Sequence, residues 1–269
     1  MLRLSELKLV ESKEELRVIP EGKVLINTIN AHSYNLAQKD EEFAEALKVN
    51  GNQNEDETQT QTENDNQNDN LERKYLLPDG ASIVKACRWL KGKSQPKERV
   101  AGWDLFTFEM QRVNGNDNPN MKVKKRVMFV GSSEKVLGLI RERAAKDYPN
   151  LEVMTYSPPY KPEFSEEDNK AMIQTVNTAN PDLLWIGMTA PKQEKWTWEH
   201  WKELDINCHV GTIGAVFDFY AGTAKRAPLW WQQHSLEWLY RLIKEPKRMW
   251  RRYVIGNPLF IWNVLRERE

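Results

Sequence analysis

The sequence lacks the features that mark proteins embedded in a membrane or exported across it. Nowhere in its 269 residues is there a run of the ~20 apolar residues that a membrane-spanning helix needs. The first residues, MLRLSELKLVESKEEL, are charged throughout and lack the apolar segment of a signal peptide. Only two cysteines are present, and neither lies in a Cys-x-x-Cys pair, so a disulfide framework is excluded. We therefore expect a cytoplasmic protein in a reducing compartment.

Patterns for metals, nicotinamide cofactors and nucleic acids are also missing. The four histidines show no ligand spacing, and there is no Asp-x-Asp of the kind that grips a metal-bound nucleotide diphosphate. No Gly-x-Gly-x-x-Gly follows a predicted strand, which disfavours an NAD(P)-dependent enzyme. Lys plus Arg and Asp plus Glu both number 39, whereas nucleic-acid binders usually carry a basic excess. We expect no metal, no cofactor and no nucleic-acid partner.

The zero net charge conceals two biased segments. Residues 51–70 contain six acidic residues and no Lys, Arg or apolar residue, so they are predicted to be a disordered, low-complexity insert. Residues 223–269 carry ten Lys and Arg against four Glu, and the last 85 residues hold nine of the eleven Trp. The C-terminal end is therefore both basic and aromatic.

The remaining sequence alternates short apolar stretches with helical patterns. RVMFVG, LEVMTYSP and DLLWIGM have the length of buried strands, and each is followed by a helical pattern. AHSYNLAQKDEEFAEALKVN predicts one helix, and NCHVGTIGAVFDF closes the alternating series. The alternation predicts an α/β fold with a Rossmann-like, mostly parallel sheet and a helical, basic C-terminal appendage. Ligands of such sheets bind beyond the carboxyl ends of the strands.

Two carboxylates fall where such a site is expected, and each also has an ordinary explanation. Asp79 lies in a Pro-Asp-Gly turn after a predicted strand, and such turns are common. Asp218 lies between Phe217 and Phe219, where an unpaired carboxylate would be costly. Either Arg226 pairs with Asp218 architecturally, or Asp218 accepts hydrogen bonds from a ligand. The basic C-terminal helical sequence is either a helix with a solvated face or an element that contacts lipid headgroups or a pyrophosphate.

Five separated motifs resemble, in the same order, those of the WecG/TagA/CpsF family of bacterial glycosyltransferases. They are LLPDG, ERVAGWDL, GMTAPKQEKW, VFDFYAGTAKRAP and LEWLYRLIKEPKRMWRRY, and the resemblance covers about residues 22–256. It implies an inverting, metal-independent enzyme that transfers N-acetylmannosamine or a related sugar from a UDP-sugar donor. The implied acceptor is a saccharide linked to undecaprenyl diphosphate, in the synthesis of a bacterial surface polysaccharide.

The resemblance also implies how the chain is organised at the membrane. Residues 1–222 would form a Rossmann-like catalytic domain that contains the insert, and residues 223–269 a membrane-proximal appendage that completes the site. The protein is expected to associate peripherally with the anionic inner face of the cell membrane. The resemblance leaves a homo-oligomer open.

The resemblance assigns roles to individual positions. Asp79 matches the proposed catalytic base, since a carboxylate can take a proton from an attacking hydroxyl. The positions expected to bind substrate are Thr28, Asn30, Arg99, Gln193, Asp218, Arg241, Arg248, Arg251 and Arg252. Arginines suit this task because they stabilise a departing diphosphate without a metal. The alternative is a non-catalytic sugar-nucleotide-binding or scaffold protein of the same pathway.

Overall fold

The computed structural model describes residues 1–49, 73–115 and 124–268, so the predicted disordered insert lies outside the described residues. In the described residues the chain forms an α/β fold with six strands, as the alternating pattern predicts. The strands are β1 (Val24–Ile29), β2 (Arg73–Pro78), β3 (Lys125–Gly131), β4 (Leu151–Tyr156), β5 (Leu183–Gly187) and β6 (His209–Thr212).

The six strands form one sheet in the order β2-β1-β6-β5-β3-β4, and every neighbouring pair is parallel. Parallel strands need crossover connections, which here contain helices. All carboxyl ends therefore lie along one edge of the sheet. In β1 and β2, Ile29 is paired in register with Pro78, so the residues that follow these two strands emerge side by side.

Helices connect the strands and cover the sheet. They are α1 (Ala31–Ala37), α2 (Glu41–Leu47), α3 (Ala81–Leu90), α4 (Gly102–Asn114), α5 (Glu134–Asp147), α6 (Glu166–Ala179), α7 (Lys192–Glu199), α8 (Gly214–Ala221), α9 (Leu229–Gln233), α10 (Glu237–Lys244), α11 (Pro246–Trp250) and α12 (Gly256–Arg268). A π-helical turn, Arg251–Ile255, joins α11 to α12. Two short 3₁₀ helices, Leu4–Glu6 and Lys13–Val18, precede β1.

Two predicted elements are divided in the structure. The helix expected after β1 is two helices, because the Asp40 carboxylate accepts the Phe43 N–H at 2.9 Å and caps the start of α2. The apolar stretch that closes the series is a strand only as far as Thr212. It continues as α8 from Gly214, which places Asp218 on a helix.

The hydrophobic core lies on both faces of the sheet and extends beneath the C-terminal helix. Trp185 of β5 is fully buried, as expected for a central parallel strand covered on both faces. A separate cluster joins the N-terminal segment, α1, α3 and α12, and includes Tyr34, Ile83, Phe260 and Val264. The last helix is therefore part of the core.

The outer surface of the chain from α9 to α12 has the opposite character. Of the fourteen exposed large hydrophobic side chains among the described residues, ten lie between Leu229 and Leu265. Trp230, Ile243 and Trp262 are each more than half exposed. Within the described residues, no helix has the length and apolar character needed to cross a membrane.

Candidate active site

The paired ends of β1 and β2 place Asn30 and Asp79 side by side. The Asp79 N–H donates to the Ile29 carbonyl at 2.8 Å, which extends the strand pairing by one residue. Asn30 caps α1, and its Oδ1 accepts the N–H groups of His32 and Ser33 at 3.0 and 3.1 Å. Gly80 follows with a φ of +149°, a backbone conformation that favours glycine. The Pro-Asp-Gly turn thus holds the carboxylate at the sheet edge.

Arg99 connects Asp79 to residues 223–255, which include α9 to α11 and the π-helical turn and are called the C-terminal segment below. Its Nη1 donates to Glu237 Oε2 at 2.9 Å, while its Nε lies 3.8 Å from Asp79 Oδ1. Both carboxylates are partly shielded, with 33% of the Asp79 side chain and 17% of the Glu237 side chain accessible. Sequence reasoning missed Glu237. The available signal was a single acid in LEWLYRL, at the start of an otherwise basic helix.

The surroundings of Asp79 raise the pKa of its carboxyl group. Burial is the main cause, and the nearby charges of Glu237 and Asp104 act in the same direction. Arg99 and Arg252 oppose them. A carboxylate with a raised pKa is a stronger base than an ordinary aspartate, which suits proton abstraction near neutral pH.

Arg252, in the π-helical turn, is the C-terminal arginine that reaches this edge of the sheet. Its Nη2 donates to Asn30 Oδ1 at 3.4 Å, and its Nε is buried without a hydrogen-bond partner in the described part of the chain. Burial lowers the pKa of its guanidinium, as does the nearby Arg241. Burial and Arg252 also lower the pKa of His32 to about 4, so His32 is neutral at pH 7. A cation with an unused donor is suited to an anionic ligand.

The other C-terminal arginines lie further out. The Arg241 guanidinium lies 5.9 Å from the ring centre of Phe219. The exposed Arg248 pairs with Glu245 at 3.0 Å. Arg251 is exposed and lies over its neighbour Trp250. The structure therefore brings Asn30, Asp79, Arg99 and Arg252 together, with Arg241 close by, and leaves Arg248 and Arg251 at the surface.

Gln193 is buried, and its side chain holds two loops of the sheet edge together. Its Oε1 accepts the N–H groups of Met188 and Gly214 at 3.1 and 3.0 Å, and its Nε2 donates to Glu194 at 2.8 Å. A side chain at Gly214 would collide with the Met188 carbonyl. Gln193 thus shapes the loops after β5 and β6, and its contact with a donor sugar stays a prediction.

The remaining predicted positions have simpler surroundings. Asp218 accepts the Thr223 hydroxyl at 3.1 Å, while Arg226 lies 5.2 Å from the ring centre of Trp103. In the described residues Arg226 forms no ion pair with Asp218, so the expected architectural pairing is wrong; Asp218 instead caps the end of α8, and its contact with a ligand stays a prediction. Thr28 is partly buried in β1, in register with Leu77 of β2.

The described residues hold no candidate metal site, and one groove lies apart from the predicted site residues. They contain no group of three or more His, Cys, Asp and Glu arranged to hold a metal ion. A groove lies away from the site, at α3 and α12, and is lined by Trp89, Trp262, Leu265, Arg266 and Arg268. None of the predicted site residues lines this groove.

The family comparison defines the class of this protein as a glycosyltransferase, and a parallel α/β sheet with a carboxylate and arginines at its carboxyl edge is in keeping with that class. The model of the Glycosyl transferase WecG/TagA/CpsF family matches residues 57–269. The chain belongs to this family. The resemblance of the five motifs is thereby confirmed, and the match extends beyond them to the C-terminal residue.

Three curated relatives carry the name N-acetylglucosaminyldiphosphoundecaprenol N-acetyl-beta-D-mannosaminyltransferase. The protein of Bacillus subtilis (strain 168) is 30% identical over 195 residues, which cover 72% of this chain and 70% of that protein. That of Bacillus spizizenii is 31% identical over 192 residues, covering 71% and 68%. That of Staphylococcus aureus (strain MW2) is 25% identical over 199 residues, covering 74% and 71%.

Proposed function

We propose that this enzyme transfers an N-acetylmannosamine-like sugar from a UDP-sugar to a saccharide on a lipid diphosphate, with inversion and without a metal. The names of the relatives support the sugar and the lipid-linked acceptor. The observation that carries the proposal is the cluster of Asp79, Arg99 and Arg252 at the ends of two adjacent strands. This cluster brings a base and two cations together at a site that is partly buried from solvent.

Asp79 is the proposed general base. An acceptor hydroxyl forms a bond to the anomeric carbon while the bond from that carbon to the UDP oxygen breaks. The hydroxyl proton passes to the Asp79 carboxylate, and the electron pair of the broken bond leaves with UDP. A base on the face opposite UDP makes the displacement inverting, and its raised pKa favours proton transfer.

The departing UDP gains negative charge, which the arginines are proposed to stabilise. Arg252 offers a buried Nε with no protein partner in the described residues, and Arg241 and Arg248 lie near enough to affect its pKa. Charge-assisted bonds from a shielded guanidinium are strong and need no reorganisation when charge develops. This arrangement supports transfer without a divalent metal.

The exposed surface of the C-terminal segment is proposed to contact the membrane that holds the acceptor. Trp230, Trp238, Ile243 and Trp250 are exposed, and the same segment carries the excess of Arg and Lys. Tryptophan and arginine together suit the headgroup region of an anionic bilayer. The enzyme would bind peripherally and receive a substrate whose lipid stays in the bilayer.

The test is UDP release by the full chain from a panel of UDP-sugars, with a synthetic N-acetylglucosaminyl diphospholipid as acceptor. We expect release that depends on the acceptor, is fastest with UDP-N-acetylmannosamine and is equal in EDTA and in excess magnesium. A strict need for metal would contradict the metal-free mechanism. No turnover with any donor, despite UDP binding by calorimetry, would favour the non-catalytic scaffold.

A further inference from the structure

We propose that Glu237 is a positioning residue that holds Arg99 away from Asp79, so that docking of α10 leaves the Asp79 carboxylate free to accept a proton. This inference rests on the proposed role of Asp79 as the base. Glu237 belongs to the C-terminal segment, whereas Arg99 and Asp79 belong to the sheet edge. The basicity of Asp79, at the sheet edge, would therefore depend on Glu237, a side chain of the C-terminal segment.

The distances show which carboxylate engages Arg99. The 2.9 Å contact between Arg99 Nη1 and Glu237 Oε2 is a charge-assisted hydrogen bond, whereas the 3.8 Å separation between Arg99 Nε and Asp79 Oδ1 is too long for one. With Glu237 in place, Arg99 attracts Asp79 only through space. A direct hydrogen bond to Arg99 would stabilise the ionised carboxylate and make Asp79 a weaker base.

The remaining nearby acid cannot replace Glu237 as the partner of Arg99. Asp104 caps the start of α4, where its Oδ2 accepts the Ala101 N–H at 2.9 Å, and its Oδ1 pairs with Lys13 at 3.1 Å. If Glu237 were removed, Asp79 would be the nearest carboxylate with oxygens still available to Arg99. The guanidinium would then turn towards the base.

Five charged groups in the described residues interact electrostatically with Asp79. They come from the loop before α4, from α4, from the loop after α8, from α10 and from the π-helical turn, and they are Arg99, Asp104, Arg226, Glu237 and Arg252. Glu237 and Asp104 raise the pKa of Asp79, after burial, and Arg99 and Arg252 lower it. Removing Glu237 is therefore expected to lower the pKa of Asp79 for two reasons: the negative charge of Glu237 is lost, and Arg99 becomes free to approach Asp79.

The experiment compares the pH dependence of kcat/KM for the full-length wild type and Glu237→Gln. We expect the acidic limb of the variant to move to lower pH by about one unit, since a carboxylate gaining an Arg partner falls by ~1–3 units. Its plateau kcat should fall roughly tenfold with little change in KM for the donor, because the base is weaker. Glu237→Asp should restore most of both.

Two further variants keep the test decisive. Arg99→Gln should move the acidic limb to higher pH, the opposite direction, because it removes the cation that opposes protonation of Asp79. Glu45→Gln makes the same change in an exposed Glu45–Lys48 pair elsewhere and should leave the profile unchanged. Circular dichroism melting identifies a variant that fails to fold.

The outcomes separate this inference from the proposed function. A uniform loss of activity in Glu237→Gln, with the acidic limb unmoved, would show that Glu237 merely anchors α10 and would overturn the inference. An unchanged profile and rate would overturn it as well. If Asp79→Asn retains activity, the assignment of the base is at fault, whatever Glu237 does.

Discussion

The two regions that meet at the site are built in different ways. The sheet edge presents Asn30 and Asp79 from strands paired in register, above a fully buried core. The C-terminal segment presents its arginines from α10, α11 and the π-helical turn, and several large apolar side chains of α9–α11 are exposed to solvent. The proposed base is therefore held on a rigid scaffold, and the cations on an element with an unburied face. A site divided in this way can depend on what covers that face.

The end of the chain differs again from α9–α11. Phe260 and Val264 of α12 are buried in the cluster with Tyr34. The Glu267 carboxylate accepts the N–H groups of Leu4 and Ser5 at 2.9 and 2.6 Å and the Tyr34 hydroxyl at 2.7 Å. Truncation at the predicted boundary of residue 222 would remove these contacts as well as the arginines, so point variants test the comparison more cleanly. The boundary itself stays a prediction.

The largest loss of activity is expected from replacing Asp79 at the sheet edge. Asp79→Asn should lower turnover by roughly 10²–10⁴-fold, the usual contribution of a general base. UDP affinity should stay near the wild-type value, because the carboxylate acts on the acceptor. Turnover and calorimetry of UDP binding measure the two quantities. Loss of turnover in Asp218→Asn, with Asp79→Asn still active, would exchange the two roles.

A smaller loss is expected from the cation that reaches the sheet edge. Arg252→Gln should lower kcat by about 10²-fold, the lower end of the cost of losing one donor to developing negative charge. Arg251→Gln is the matched control, because Arg251 is exposed over Trp250, and it should lose much less. Equal losses in the two variants would contradict the distinction that the geometry makes between them.

Some features of the candidate site can be predicted from the sequence, whereas others depend on tertiary contacts. The strand pattern and the Pro-Asp-Gly turn place Asp79 at the carboxyl edge, the motif ERVAGWDL adds Arg99, and the wider family resemblance adds Asn30. The contact of Arg99 with Glu237 joins residues 138 positions apart, which periodicity cannot show. The structural task of Gln193 likewise depends on the approach of two loops that are distant in sequence. Motif matching alone cannot distinguish the inward Arg252 from its exposed neighbour Arg251.

The exposed face of the C-terminal segment should control membrane binding without controlling chemistry. Ile243→Ser should weaken co-sedimentation with anionic vesicles by roughly tenfold, since burying such a side chain contributes about 1.5–3 kcal/mol. Turnover of a short-chain, water-soluble acceptor should be unchanged. Val18→Ser alters an exposed apolar residue outside the segment and serves as the control. Binding that is indifferent to salt and to lipid charge would remove the electrostatic part of the proposal.

The smallest effect concerns stability at the sheet edge. Glu194 is buried beside Gln193, and burial raises the pKa of its carboxyl group to about 7. The folded state therefore binds a proton that the unfolded state has released, so this group lowers stability as the pH rises from about 4.5 to 7. Glu194→Gln should reduce that pH dependence of the melting temperature. An identical pH dependence in the variant would show that Glu194 is ionised at little cost in the folded protein.

In the proposed mechanism, a base at the sheet edge and arginines of the C-terminal segment act on opposite sides of one sugar carbon, without a metal. The anomeric configuration of the transferred sugar, determined by NMR on the lipid-linked product formed in EDTA, tests it most directly. We expect a linkage opposite in configuration to that of the UDP-sugar donor, formed at the same rate with and without magnesium. A product that retains the donor configuration, or one that forms only when metal is added, would contradict it.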